Sequence, residues 1–159
     1  MHIKIIQIGK TKTPFIKEAE KEYLKRLEHI WNIEITTLRE SQISESANKQ
    51  LRDRAREAEG KAILDALPKD SYIIALDENG RSLNSLEFAS KLQQVRDFEN
   101  SKITFIMGGP FGLSDHVKSR ANMLLSFSSF TFTHEIIRVL LLEQLYRAHA
   151  INTNKTYHY

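Results

Sequence analysis

Two spacings of apolar residues alternate along this chain, one of period two or a continuous short run, the other recurring every three or four positions. From His2 to Ile8 the β-branched Ile3, Ile5, Ile6 and Ile8 form a run that Gly9 closes, which predicts a first strand. Between Pro14 and His29, Phe15, Ile16, Ala19, Tyr23, Leu24 and Leu27 recur at helical spacing while Lys and Glu fill the other face, with Thr13 as cap and Pro14 in the first turn. Trp31 to Leu38 places Ile33 and Ile35 on one face and predicts a second strand paired with the first. A polar loop from Arg39 to Ser46 leads into a charged helix over Ala47–Leu67, weakened at Gly60 and ended by Pro68. Tyr72–Leu76 reads as a third strand, stopping at Asp77 in a turn with Asn79 and Gly80. A helix over Ser85–Phe98 follows, carrying Leu86, Phe88, Ala89, Leu92 and Val95 at helical spacing. Ile103–Met107 and Met123–Phe127 are further short apolar strands, separated by a short helix over Ser114–Ala121, and a last helix begins at Thr131.

Strand, helix and strand in succession predict an α/β fold with a mostly parallel sheet and right-handed crossovers. At 159 residues with 41% hydrophobic content, a single domain over residues 1–159 is expected. The strand from Ile103 ends abruptly in Gly108, Gly109, Pro110 and Gly112, three glycines within five residues. Glycine admits positive φ and lets main-chain amides approach a small molecule without a Cβ in the way. A tight turn that binds nothing is the plain alternative. No Lys-Ser or Lys-Thr follows, so the segment is not a phosphate-cradling P-loop, and Gly-Gly-Pro-Phe-Gly is not a dinucleotide fingerprint. In an open α/β sheet ligands sit beyond the carboxyl ends of strands, so the ends after Leu76, Met107 and Phe127 are expected to frame one pocket.

Composition narrows the setting. The chain has no cysteine, which removes disulfides and thiolate metal sites and suits a reducing cytoplasm. No run approaches the roughly 20 apolar residues of a membrane span, and no signal peptide is evident, so a cytoplasmic protein without membrane partners is expected. A formal charge of +3 permits a nucleic-acid partner without requiring one. The charges of the 47–67 helix are explained by a solvated face with i,i+4 pairs more readily than by an RNA-binding stripe.

The last helix is apolar nearly all round through Ile136, Ile137, Val139, Leu140, Leu141, Leu142 and Leu145. Such a helix is covered on both sides, either by a second subunit or by the chain's own loops. The tail from Asn152 to Tyr159 is polar and has the composition of a disordered end.

The opening strand ending in IQIGK, the GGPFGL segment, LLSFSSFTF followed by His134, IIRVLLLEQLYRA and the terminal Tyr157-His158 together resemble the SPOUT-class methyltransferases, and within them the ribosomal RNA large subunit methyltransferase H family. The resemblance covers the whole chain. It implies a SPOUT-type (alpha/beta knot) fold with a carboxyl-terminal deep trefoil knot, an obligate homodimer, and transfer of a methyl group from S-adenosylmethionine to N3 of a pseudouridine in 23S ribosomal RNA, within the ribosome. Leu76, Gly108, Phe127, Ser128, Ser129, Phe130, Thr131 and Phe132 fall on the family's cofactor-binding positions. Thr133 stands where the family usually has proline, and NTNKT replaces its more frequent glycine- and proline-containing approach to Tyr157.

The sulfonium methyl group is already activated, so the protein's task is alignment of donor and acceptor and removal of the imide proton, with no metal required. His134 is a candidate for moving that proton or orienting the base, against a capping or buried histidine. Arg138 is a candidate for a phosphate or pyrimidine carbonyl, against a salt bridge to Glu135 or Glu143. Tyr157 and His158 are candidates for closing the site or stacking on the base, against a loose tail. The rival reading is a non-catalytic nucleotide- or RNA-binding homodimer.

Overall fold

The computed structural model describes residues 1–44 and 46–157. In chain order the elements are β1 (His2–Ile8), α1 (Pro14–Leu27), β2 (Asn32–Leu38), α2 (Lys49–Ala66), β3 (Tyr72–Ser82), α3 (Ser85–Gln94), β4 (Lys102–Met107), α4 (Asp115–Arg120), β5 (Met123–Ser126) and α5 (His134–Asn152). The five strands form one sheet in the order β2-β1-β4-β3-β5 with every neighbouring pair parallel, as the strand–helix alternation predicts.

Helices cover both faces, which is why the central strands read as continuous apolar runs rather than alternating ones. On one face Ile3, Ile5, Ile74 and Phe105 pack with Leu27 of α1, Phe88 and Leu92 of α3, and Leu141, Leu142 and Leu145 of α5. On the other, Ile6, Ile8, Ile73, Ala75 and Ile106 meet Ile63 of α2 and Val117 of α4. Ile3, Ile6, Ile74, Phe105 and Ile106 retain no exposure. Each such side chain contributes roughly 1.5–3 kcal/mol by leaving water.

The structure departs from the sequence reading at element ends. β3 does not stop at Leu76: residues 77–80 bulge outward, and Leu76 and Arg81 both lie opposite Leu125 before the strand runs on to Ser82. Gly80 permits that return, because a Cβ there would stand 2.7 Å from the backbone of Leu124 and Leu125. The helix expected to reach Phe98 loosens into a π turn over Val95–Glu99. The last helix starts at His134, not Thr131, because Thr133 is extended and its hydroxyl accepts from the Ile136 amide, a capping arrangement. Residues 127–133 are thereby left outside any strand or helix. Of the apolar residues of α5, Leu141 and Leu142 both reach this chain's core, whereas Ile136, Val139 and Leu140 remain partly exposed.

Candidate functional site

β4, β3 and β5 are adjacent and parallel, so the segments after Met107, Leu76 and Ser126 emerge along one edge of the sheet. The loop after β4 is folded on itself. The Gly112 amide donates to the Gly109 carbonyl at 3.0 Å, and Gly112 takes the left-handed φ of 76°. Gly108 does not adopt a positive φ. Its need for glycine is steric: a Cβ would lie 2.9 Å from the Gly112 carbonyl carbon and 3.1 Å from Leu113 Cδ2. The close approach at Gly108 is between two parts of the same loop.

Beyond β5 the Ser126 hydroxyl donates to the Ser128 carbonyl at 3.0 Å, and the Phe130 amide donates to Ser128 Oγ at 3.0 Å, making a compact turn. Phe127 and Ser128 are half-buried, while Ser129, Phe130, Thr131 and Phe132 are exposed, Phe130 to 77%. Among the described residues, no hydrogen bond takes up the amides of Ser129, Thr131 or Phe132. Leu76 packs with Phe127 against the margin of the core. Apolar walls beside open main-chain donors are what a purine ring requires. A concavity of about 730 Å³ lies between α1 and the start of β2, and another of about 560 Å³ along α2, but neither is lined by these loops. The edge formed by one chain is open rather than enclosed.

The first turns of α5 lock the β1–α1 loop. Arg138, 2% exposed, donates from Nη2 to the carbonyls of Ile8 (2.5 Å) and Gly9 (3.0 Å) and from Nη1 to the Thr11 hydroxyl (2.8 Å). It is therefore an anchor beneath the loop, and neither of the carboxylates expected for it, Glu135 or Glu143, bonds to it. Glu143 bonds Arg147 instead. Glu135, 8% exposed, accepts from the amides of Lys12 (2.8 Å) and Thr13 (3.2 Å). Thr13 makes no side-chain cap of its own, and the carboxylate from α5 fixes the backbone just ahead of α1, near the positive end of its dipole. His134 is half-buried, and burial followed by the nearby Arg138 charge pushes it below its ordinary pKa, leaving the imidazole neutral at pH 7.

Burial of Glu135 acts to raise its carboxyl, but hydrogen bonds from Thr13 and the two amides outweigh it and hold the group at about 2. Because the folded value lies below the ordinary 4.5, this stabilisation is present above that pH and is lost as pH falls from 4.5 toward 2. Glu135→Gln is expected to cost about 1–3 kcal/mol at pH 7 and to flatten that acid limb, read from urea unfolding at a series of pH values. Equal stability of the two proteins at pH 7 would contradict it.

Of the four residues nominated for chemistry, the three described ones, His134, Arg138 and Tyr157, do not form one cluster within a chain. His134 and Arg138 share the start of α5, whereas Tyr157 packs edge-on against Tyr146 at 4.7 Å. Tyr146 is twelve residues from His134, about 18 Å along the helix. His158 lies outside the described residues. The sequence assigns no site role to Thr11, Tyr23, Tyr146 or Arg147, and pairs Glu135 with Arg138 and not with the loop before α1; these contacts join segments far apart in the chain, which spacing does not reveal.

An all-parallel sheet with glycine- and serine-bearing loops at one carboxyl edge defines an α/β protein of the kind that binds a small molecule there. The model of a family described as predicted SPOUT methyltransferase matches residues 1–158, and the chain belongs to that family. It is 43% identical over 159 residues to ribosomal RNA large subunit methyltransferase H of Pseudothermotoga lettingae, covering 100% of both chains. It is 42% identical over 158 residues to the protein of the same name from Clostridium botulinum strain Kyoto, covering 99% of each. In fold it is similar to a probable methylase family protein from Haemophilus influenzae Rd KW20, with a TM-score of 0.60 at 16% identity over 99% of this chain and 70% of that one. The family expected from the motifs is the family found.

Proposed function

We propose that this protein transfers a methyl group from S-adenosylmethionine to N3 of a pseudouridine in large-subunit ribosomal RNA, acting as a cytoplasmic homodimer on the ribosome. The observation that carries the reading is identity of 42–43% over essentially the full length of relatives named ribosomal RNA large subunit methyltransferase H. The geometry of the loops supports it. Leu76 and Phe127 supply apolar walls, the amides of Ser129, Thr131 and Phe132 supply donors for the adenine edge, and the folded loop at Gly108 sets the floor. S-adenosylmethionine, when bound, supplies a methyl group activated by its sulfonium. His134, neutral at pH 7, is suited to receive the imide proton or to accept a hydrogen bond from the base. Arg138 acts from below by holding the β1–α1 loop in place. The carboxyl-terminal knot belongs to the same reading, supported by β4 lying between β1 and β3 while β5 returns to the far side of β3.

Dimerisation is supported by Ile136, Val139 and Leu140, which one chain leaves partly exposed, and by the exposed Phe130 and Phe132. Leu140→Asp is expected to convert the dimer to monomer or aggregate, checked by light scattering; an unchanged mass would place the interface elsewhere. Transfer of labelled methyl to free large-subunit RNA, isolated large subunits and whole ribosomes tests the function. Labelling of none of the three, with intact cofactor binding, would favour the non-catalytic RNA-binding dimer.

A further inference from the structure

The segment leading to Tyr157, part of what composition marks as a disordered tail, is seated in a cluster of aromatic and cationic side chains. Tyr157 is half-buried, and its ring meets Tyr146 edge-on, with centroids 4.7 Å apart at 85°. Arg147 lies over the same ring at 5.0 Å, and its guanidinium also donates to the Tyr157 carbonyl at 3.4 Å. Arg147 is itself fixed by Glu143, to which its Nε donates at 2.9 Å. On the neighbouring helix Arg26 stands 5.4 Å from the Tyr23 ring and 5.8 Å from the Tyr146 ring, so α1 and α5 build the seat jointly. Its proximity to Tyr157 and its burial raise the Tyr23 hydroxyl to about 12. The backbone is held as well, with the Lys155 amide donating to the Ala150 carbonyl at 2.9 Å and the Tyr157 amide to the Lys155 carbonyl at 2.9 Å.

We propose that Tyr23, Tyr146 and Arg147 are positioning residues that order the tail, as far as Tyr157, before RNA arrives. The inference rests on the reading above that the tail takes part in methyl transfer. Its physical basis is entropic. A free tail would have to be ordered at every substrate encounter, whereas a tail seated on its own chain meets that cost during folding, so the seat acts on transfer and not on cofactor affinity. An edge-on aromatic pair and a cation over a ring each contribute enough to shift the seated population about tenfold.

The test uses full-length protein with ribosomal substrate and four variants: Tyr146→Ala, Tyr146→Phe, Tyr23→Ala and a deletion of residues 154–159. Two readouts accompany the methylation rate: affinity for S-adenosylmethionine by calorimetry, and the rate of tryptic cleavage after Lys155 in the absence of RNA. Tyr146→Ala and Tyr23→Ala, which alter different helices, are each expected to speed cleavage and to lower kcat/KM for RNA about tenfold, with cofactor affinity within about twofold of the parent. Tyr146→Phe keeps the ring and is expected to retain both tail protection and activity. Unchanged cleavage and transfer in both alanine variants, with transfer abolished by the deletion, would overturn the seat while leaving the tail's role intact. Full activity of the deletion would overturn the tail's role and this inference with it.

Discussion

Gly108→Val is expected to abolish S-adenosylmethionine binding while the protein remains folded and dimeric. The Cβ alone would stand 2.9 Å from the Gly112 carbonyl carbon, closer than real Cβ atoms come, and 3.0 Å from its oxygen, which is also tight. The obstacle is backbone, so no rotamer relieves it, and the two branches of valine add to the conflict. The loop would have to open, breaking the Gly112 amide to Gly109 carbonyl bond and displacing the floor of the proposed cradle. The core strand before it is untouched: Phe105 and Ile106 stay fully buried, so the fold should survive. A loss of affinity of at least about 100-fold, near 2.7 kcal/mol, is expected by calorimetry, with circular dichroism and light scattering as controls for fold and mass. An unaltered dissociation constant would remove this loop from the cofactor site.

Mixing two inactive proteins is expected to restore activity. Within one chain Tyr157 sits near Tyr146, about 18 Å along α5 from His134, so a tail that serves a site near His134 serves that of another copy. Protein lacking residues 154–159 should keep its fold and cofactor affinity but lose methyl transfer, because its cradle is whole and its tail is gone. Gly108→Val has the opposite defect. When the two are unfolded and refolded together, half of the dimers are mixed, and each mixed dimer holds one site with an intact cradle and an intact tail. Roughly a quarter of the parental activity should return. No recovery, with mixed dimers shown by mass spectrometry, would mean that each site is completed by its own chain.

The alternation of isoleucine-rich runs with amphipathic helices determined the α/β class, the order of elements and the pairing of β1 with β2, because burial of a strand on both faces and of a helix on one stripe leaves a direct mark on residue spacing. The glycines after Met107 marked the loop, and the combined motifs marked the family, which the match over residues 1–158 bears out. Tertiary structure alone decided how these pieces are used. The left-handed residue of the loop is Gly112 and not Gly108, since hydrogen bonding within the turn selects it. Arg138 spends its donors on carbonyls 129 and 130 positions away, and Glu135 accepts from the Thr13 amide 122 positions away, so neither partner was open to inference from helical spacing. The tail looked loose because the side chains that meet Tyr157, those of Tyr146 and Arg147, lie on α5 and not in the tail's own composition. Local sequence records what each segment must bury; which polar side chain meets which distant backbone is settled only when the sheet brings the strand ends to one edge.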